Sequence, residues 1–183
     1  MRHIFLDGRI EILQGDLTRQ AVDGIVTPAN RTLLGGAGLD AAVHRAAGPD
    51  LLEACRKLGG ASPGEARITP GFRLPSRYVI HAVGPVWRDG RQGEEALLSA
   101  CYQQIMELAR EHEVTSLAIP PISTGAYRFP LEEATTIAIR ETRDFLAGSS
   151  YPARVIFCCY SRYDLEVHGR VASSLLDPAG QGS

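Results

Sequence analysis

Lysine is nearly missing from this chain of 183 residues: its 19 basic residues are 18 Arg and a single Lys57. Acidic residues number 21, so the formal net charge is −2. With no basic excess, charge gives no footprint for nucleic acid or for an anionic membrane surface. The Arg bias reads as genome base composition. Long apolar runs are missing too. No stretch approaches the roughly 18 apolar residues of a transmembrane helix. The N-terminus, Met1-Arg2-His3-Ile4-Phe5-Leu6-Asp7, lacks a signal-peptide core. The four cysteines, Cys55, Cys101, Cys158 and Cys159, form no CxxC pair and no zinc-spaced pattern with histidine. Cys158 and Cys159 are neighbours in an apolar run and face opposite ways if that run is a strand. Reduced, mostly buried thiols in a cytoplasmic protein are expected. There is no G-x-S-x-G elbow, and no cysteine has a sequence neighbour that marks it as a nucleophile. His44, His81, His112 and His168 make no metal-spaced cluster. His44 and His81 read as structural, and neither metal nor cofactor is expected.

What remains is an ordinary globular composition, 44% hydrophobic and 22% charged. A chain of this length can bury about 70% of its extended surface and needs no staples. The expectation is one domain over residues 1–177, with a disordered tail at 178–183. Glycine is the feature that stands out. Of 19 glycines, eight fall between positions 35 and 71. Glycine is used where backbone must turn or approach something closely, so the cluster points to a ligand cradled by main chain.

Periodicity lays out the elements. Residues 9–14 alternate like a strand that Gly15-Asp16 ends, and residues 22–29 carry a short apolar strand. Residues 39–47 have helical spacing, and a second helix runs from Pro49 to Gly59-Gly60. Strands are expected at 65–69, 77–83, 114–119 and 153–160, and helices at 94–112, 131–146 and 164–176. This alternation predicts an α/β fold, a three-layer α/β/α sandwich around a central mixed sheet. In such sheets ligands bind at the carboxyl ends of strands. The loops after residues 29, 119 and 160 all lie there.

Four stretches can carry chemistry. Gly36-Ala37-Gly38-Leu39-Asp40-Ala41 formally matches the G-x-G-x-x-G/A fingerprint. Its context does not: the strand ends six residues too early, Glu53 falls in a helix, and Asp40 would repel a pyrophosphate seated on the amides. The free amides of a glycine loop entering a helix still suit a phosphate. Pro121-Ile122-Ser123-Thr124-Gly125-Ala126-Tyr127 follows a buried strand and is either an ordinary turn or a second phosphate loop. Asp16 either caps the turn at Leu17-Thr18-Arg19-Gln20 or accepts from an exocyclic amine. Asn30 is either a turn residue or an amide that holds a hydroxyl or water.

Together these pieces resemble the macrodomain family of ADP-ribose-binding modules. The resemblance spans about residues 9–176. It rests on Gly15-Asp16-Leu17-Thr18, Thr27-Pro28-Ala29-Asn30, Leu34-Gly35-Gly36-Ala37-Gly38-Leu39-Asp40, His44-Arg45-Ala46-Ala47-Gly48, Gly64-Glu65-Ala66, His81-Ala82-Val83-Gly84-Pro85 and Ile122-Ser123-Thr124-Gly125. It is closest to the MacroD-type branch, whose bacterial members include O-acetyl-ADP-ribose deacetylases.

The resemblance implies a role for each matching residue. Asp16 accepts the adenine amine with help from the Leu17 backbone, and Tyr160 lies beside the adenine. Residues Gly36, Ala37, Gly38 and Leu39 and residues Ser123, Thr124, Gly125, Ala126 and Tyr127 clasp the diphosphate. Asn30 and Asp40 flank the distal ribose, and Tyr127 closes over it. The implied activity is metal-independent hydrolysis of ADP-ribose esters, either O-acetyl-ADP-ribose or mono-ADP-ribosylated Asp and Glu of proteins. Asn30, Asp40 and Tyr127 would be the catalytic residues. A non-catalytic reader, or a regulatory module that binds a protein partner, is the alternative. Pro28, Ala37, Leu39 and Arg128 depart from the branch's pattern. Pro28 removes an amide donor, and the Ala37 methyl is expected to restrict φ or narrow the approach to phosphate.

Overall fold

Two apolar faces alternate along the strands and set the layers. The computed structural model describes residues 2–177; the tail expected at 178–183 lies outside them. The elements are β1 (Arg2–Phe5), β2 (Ile10–Gln14), β3 (Gly24–Pro28), α1 (Gly38–Ala47), α2 (Pro49–Arg56), β4 (Ala66–Pro70), β5 (Tyr78–Ala82), α3 (Glu94–Glu111), β6 (Ser116–Ile119), α4 (Leu131–Ala147), β7 (Arg154–Cys159) and α5 (Arg162–Leu176). The strands form one sheet in the order β1-β2-β7-β6-β3-β5-β4. The five inner strands are parallel, and the edges β1 and β4 are antiparallel to their neighbours. Buried on both sides, the inner strands read as near-continuous apolar runs.

Ile25, Val79, Ala118, Ile156 and Cys158 face one layer, with Val43 of α1 and Leu51 and Cys55 of α2. Val26, Ile80, Ile119, Phe157 and Cys159 face the other, with Leu98 of α3, Ile137 of α4 and Leu165 of α5. Cys158 and Cys159 thus face opposite layers, and all four cysteines are buried and unpaired. The three-layer mixed-sheet architecture is the one expected. No helix among the described residues is long and apolar enough to cross a membrane.

Three details differ from the sequence-derived expectation. The chain opens with β1, a four-residue edge strand whose alternation is too brief to stand out. Helix α5 begins at Arg162, because the Ser161 hydroxyl accepts from the Asp164 N–H at 3.1 Å and caps it earlier. Helix α2 stops at Arg56, three residues short of Gly59.

β3 and β6 are neighbours in the sheet, yet β3 leads to α1 on one face and β6 leads to α4 on the other. The loops leaving their carboxyl ends therefore part, and a crevice opens between them, as it does at the switch point of any open parallel sheet.

Candidate functional site

The first wall of the crevice follows β3. Asn30 Oδ1 accepts from the Thr32 N–H (3.1 Å) and hydroxyl (2.6 Å), while its Nδ2 donates to the Gly35 carbonyl (3.0 Å). Asn30 is thus the turn residue that shapes loop 30–35. It also faces Gly36: a Cβ there would lie 3.3 Å from Asn30 Nδ2 and 3.8 Å from Asp40 Oδ2. The fold therefore gathers Asn30, Gly36 and Asp40 at one point. Asp40 sits in the first turn of α1 and is only 3% exposed. Its Oδ1 accepts from the Thr27 hydroxyl at 2.8 Å and lies 3.8 Å from His44 Nε2. Its Oδ2 is buried without a partner among the described residues. Burial raises the Asp40 carboxyl above the ordinary carboxylate value, against the opposing pull of the Thr27 bond and the His44 charge.

The second wall follows β6. Ser123 adopts a left-handed backbone (φ 66°), and its buried hydroxyl has no partner among the described residues. The loop closes through Arg128 N–H to Gly125 O (3.0 Å) and Phe129 N–H to Ser123 O (2.9 Å). Tyr127 is half-buried, and its carbonyl accepts the Trp87 N–H at 2.8 Å. Gly84 permits the close approach of this loop to the end of β5: a Cβ there would lie 2.1 Å from Ser123 Oγ and 2.8 Å from Ile122.

The two walls share one property. The amides of residues 35–37 and of residues 124–127 donate no hydrogen bond to any described residue. The first-turn amides of α1 are orphaned by helix geometry. A row of unspent N–H donors thus edges the crevice on both sides, a setting that favours an anion.

At the far end, Asp16 is exposed and caps the short turn at Leu17–Arg19, its Oδ1 accepting the Thr18 N–H (2.9 Å) and hydroxyl (2.7 Å). The second carboxylate oxygen accepts no hydrogen bond among the described residues. Leu17 is buried, and Tyr160, 84% exposed just past β7, passes its carbonyl to Gln14 at 3.2 Å. The predicted site residues therefore lie on loops and first helical turns at the carboxyl ends of β2, β3, β6 and β7.

Two expectations need correction. Ala37 has φ −107° as the residue that precedes α1, so its methyl does not strain φ there; the left-handed positions are the flanking Gly35 (φ 91°) and Gly38 (φ 60°). The histidines, scattered by sequence spacing, are not scattered in space: ligand atoms of His44, Cys55 and His81 lie within 4.8 Å of one another. Burial pushes the Cys55 thiol up to about 11, aided by the Asp40 charge, and His81 Nε2 is engaged by Thr69 Oγ1 at 2.9 Å. Burial also holds His81 neutral, its pKa down at about 4. The group is a packed polar layer behind Asp40. The remaining thiols are equally poor nucleophiles: burial raises Cys158 to about 11 and Cys101 and Cys159 to about 12.

Residue-by-residue reading missed Thr27, Trp87 and Glu94. Thr27, fully buried in an otherwise apolar strand, left a signal, since a buried hydroxyl must bond to something. Trp87 and Glu94 left none, because their partners are backbone groups of distant or irregular segments.

Comparison with known proteins adds to this geometry. The Macro domain model matches residues 26–138. A macro domain-containing protein of Chlorobaculum tepidum is 51% identical over 165 residues, covering 90% of this chain and 96% of the relative. An O-acetyl-ADP-ribose deacetylase of Escherichia fergusonii is 45% identical over 170 residues, covering 91% and 96% respectively. The Oceanobacillus iheyensis macrodomain solved with ADP superposes with a TM-score of 0.89 at 38% identity, covering 96% of this chain and 95% of that one.

Proposed function

The chain belongs to the macrodomain family, and from that premise we propose that its crevice binds ADP-ribose and hydrolyses ADP-ribose esters. The observation that carries this reading is the double row of unspent amides beside a buried, partly unpartnered carboxylate. Neutral main-chain donors hold the diphosphate, which reconciles a phosphate ligand with a net charge of −2. Asp16 takes the adenine amine on its second oxygen, beside Leu17 and Tyr160. The distal ribose lies over Gly36, between Asn30, Asp40 and Tyr127.

Hydrolysis needs a water aimed at the ester carbonyl. Asp40 Oδ2 orients and deprotonates it, with a phosphate oxygen of the ligand sharing the proton. Asn30 and the crowding by Gly125 and Tyr127 hold the ribose near attack geometry. The ester's acyl–oxygen bond breaks, giving ADP-ribose and a carboxylic acid: acetate, or the Asp or Glu of a protein. No step is routed through a metal or cofactor. A reader that binds without turnover is the second reading, and the observation in its favour is the 3% exposure of Asp40.

Incubation with O-acetyl-ADP-ribose and with mono-ADP-ribosylated protein separates the two. Wild type releases product, and Asp40→Ala loses about 10²–10⁴-fold, the ordinary contribution of a positioned base. Equal, negligible turnover by both proteins, alongside ADP-ribose binding, would make the protein a reader.

A further inference from the structure

The carboxylate with the most backbone partners lies outside the crevice. Glu94 opens α3 and is 2% exposed. Its Oε2 accepts the N–H groups of Arg88 (3.1 Å), Asp89 (3.2 Å) and Gly90 (2.8 Å), and its Oε1 accepts that of Gln92 (2.5 Å). Desolvation opposes the charge, but the backbone amides outweigh it and hold the carboxyl down at about 2. Only an acceptor with two oxygens serves this set of donors. An acidic residue in a first helical turn needs no such nest to stabilise its helix. The loop the nest folds is therefore the thing to explain.

That loop leans on the crevice. Gly90 (φ 78°) packs so closely on Trp87 that a Cβ would lie 2.7 Å and 3.0 Å from two indole carbons. The Trp87 indole also packs at a tilt of 56° against Phe129, centroids 4.7 Å apart. The Trp87 N–H donates to the Tyr127 carbonyl at 2.8 Å. The contacts run unbroken from Glu94 through Gly90 and Trp87 to the loop of Ser123 and Tyr127.

Resting on the ADP-ribose reading above, we propose that Glu94 is a positioning residue for the distal-ribose end of the crevice. It folds loop 88–92 onto Trp87, and Trp87 fixes the Tyr127 carbonyl and the turn around it. Among the described residues Glu94 makes no hydrogen bond to a crevice residue, so its influence reaches the crevice through Trp87 at one end: the diphosphate and distal ribose depend on it, while the adenosine end at Asp16 does not.

The test compares wild type with Glu94→Gln, which keeps the shape but gives up one acceptor oxygen. Calorimetric titration with ADP-ribose and with AMP, below the unfolding temperature, should show ADP-ribose affinity falling about tenfold and AMP affinity unchanged. Amide hydrogen exchange without ligand should show faster exchange at Trp87, Arg128 and Phe129. Gly90→Ala, which crowds the indole and leaves the carboxylate in place, should do the same and serves if Glu94→Gln does not fold. Unchanged affinities, or equal losses for both nucleotides, would overturn the proposal. So would unchanged exchange at the three amides. If wild type binds neither nucleotide, the ADP-ribose reading fails, and the exchange measurement alone then decides whether Glu94 holds the Tyr127 loop.

Discussion

Asp40 shows how one side chain can serve function against stability. Its carboxyl is raised by burial, so the fold disfavours the charged form. In the proposed role of a base it must be ionised. Turnover should therefore climb with pH along an acid limb whose midpoint lies above the ordinary carboxylate value. Stability runs the other way. A raised native pKa means the native state holds its proton more tightly than the unfolded chain, and stability is lost as pH rises through that pKa. Asp40→Asn keeps an acceptor for Thr27 and carries no charge. It should be inactive yet melt higher than wild type at pH 7, and the gap should close as pH falls below the Asp40 pKa. Thermal melts over a pH series, read beside the rate profile, check both signs. At this scale the sequence showed much of what the structure contains. Asp16 and Asn30 perform the local capping and turn roles their residue types suggest, and Cys158 and Cys159 point apart as strand neighbours must. Thr27 and the His44–Cys55–His81 layer became visible only through tertiary contact, which spacing along the chain does not encode.

The elements were legible wherever apolar periodicity ran for a full strand or helix, and their ends moved by only a few residues. β1 was missed because four residues at a half-exposed edge make a weak pattern. Irregular segments were the least legible. Arg9 illustrates the reason. Nothing beside it in sequence explains an arginine there, yet its guanidinium donates to four carbonyls: Leu146 (2.8 Å), Ser149 (2.8 Å), Pro152 (3.0 Å) and Ala153 (3.3 Å). It closes the end of α4 and fastens the segment that enters β7. One of the arginines in the compositional excess thereby has a structural task. Arg9→Ala should destabilise by on the order of 2 kcal/mol, as charged hydrogen bonds to these carbonyls are lost. Arg9→Lys should recover only part of this, since an ammonium cannot span the same fork. Denaturant unfolding at constant m-value checks the order of the three proteins.

Across the whole molecule, the glycine cluster and the net charge have one explanation. An open parallel sheet parts its loops between β3 and β6, and unspent amides line both sides of the opening. A ligand carrying phosphates needs no field of cations there. The alternation of strands and helices was enough to place those loops at one end of the sheet. It was not enough to say that their amides go unpaired, which depends on how Asn30, Gly84 and Trp87 shape each loop. If this crevice takes ADP-ribose with adenine at Asp16, calorimetric titration of the intact protein with ADP-ribose will show it. We predict one-to-one binding with a matching rise in melting temperature, and an affinity about tenfold or more weaker for Asp16→Ala. No heat and no thermal shift with wild type would contradict the claim, and an unchanged affinity for Asp16→Ala would contradict the placement of the adenine.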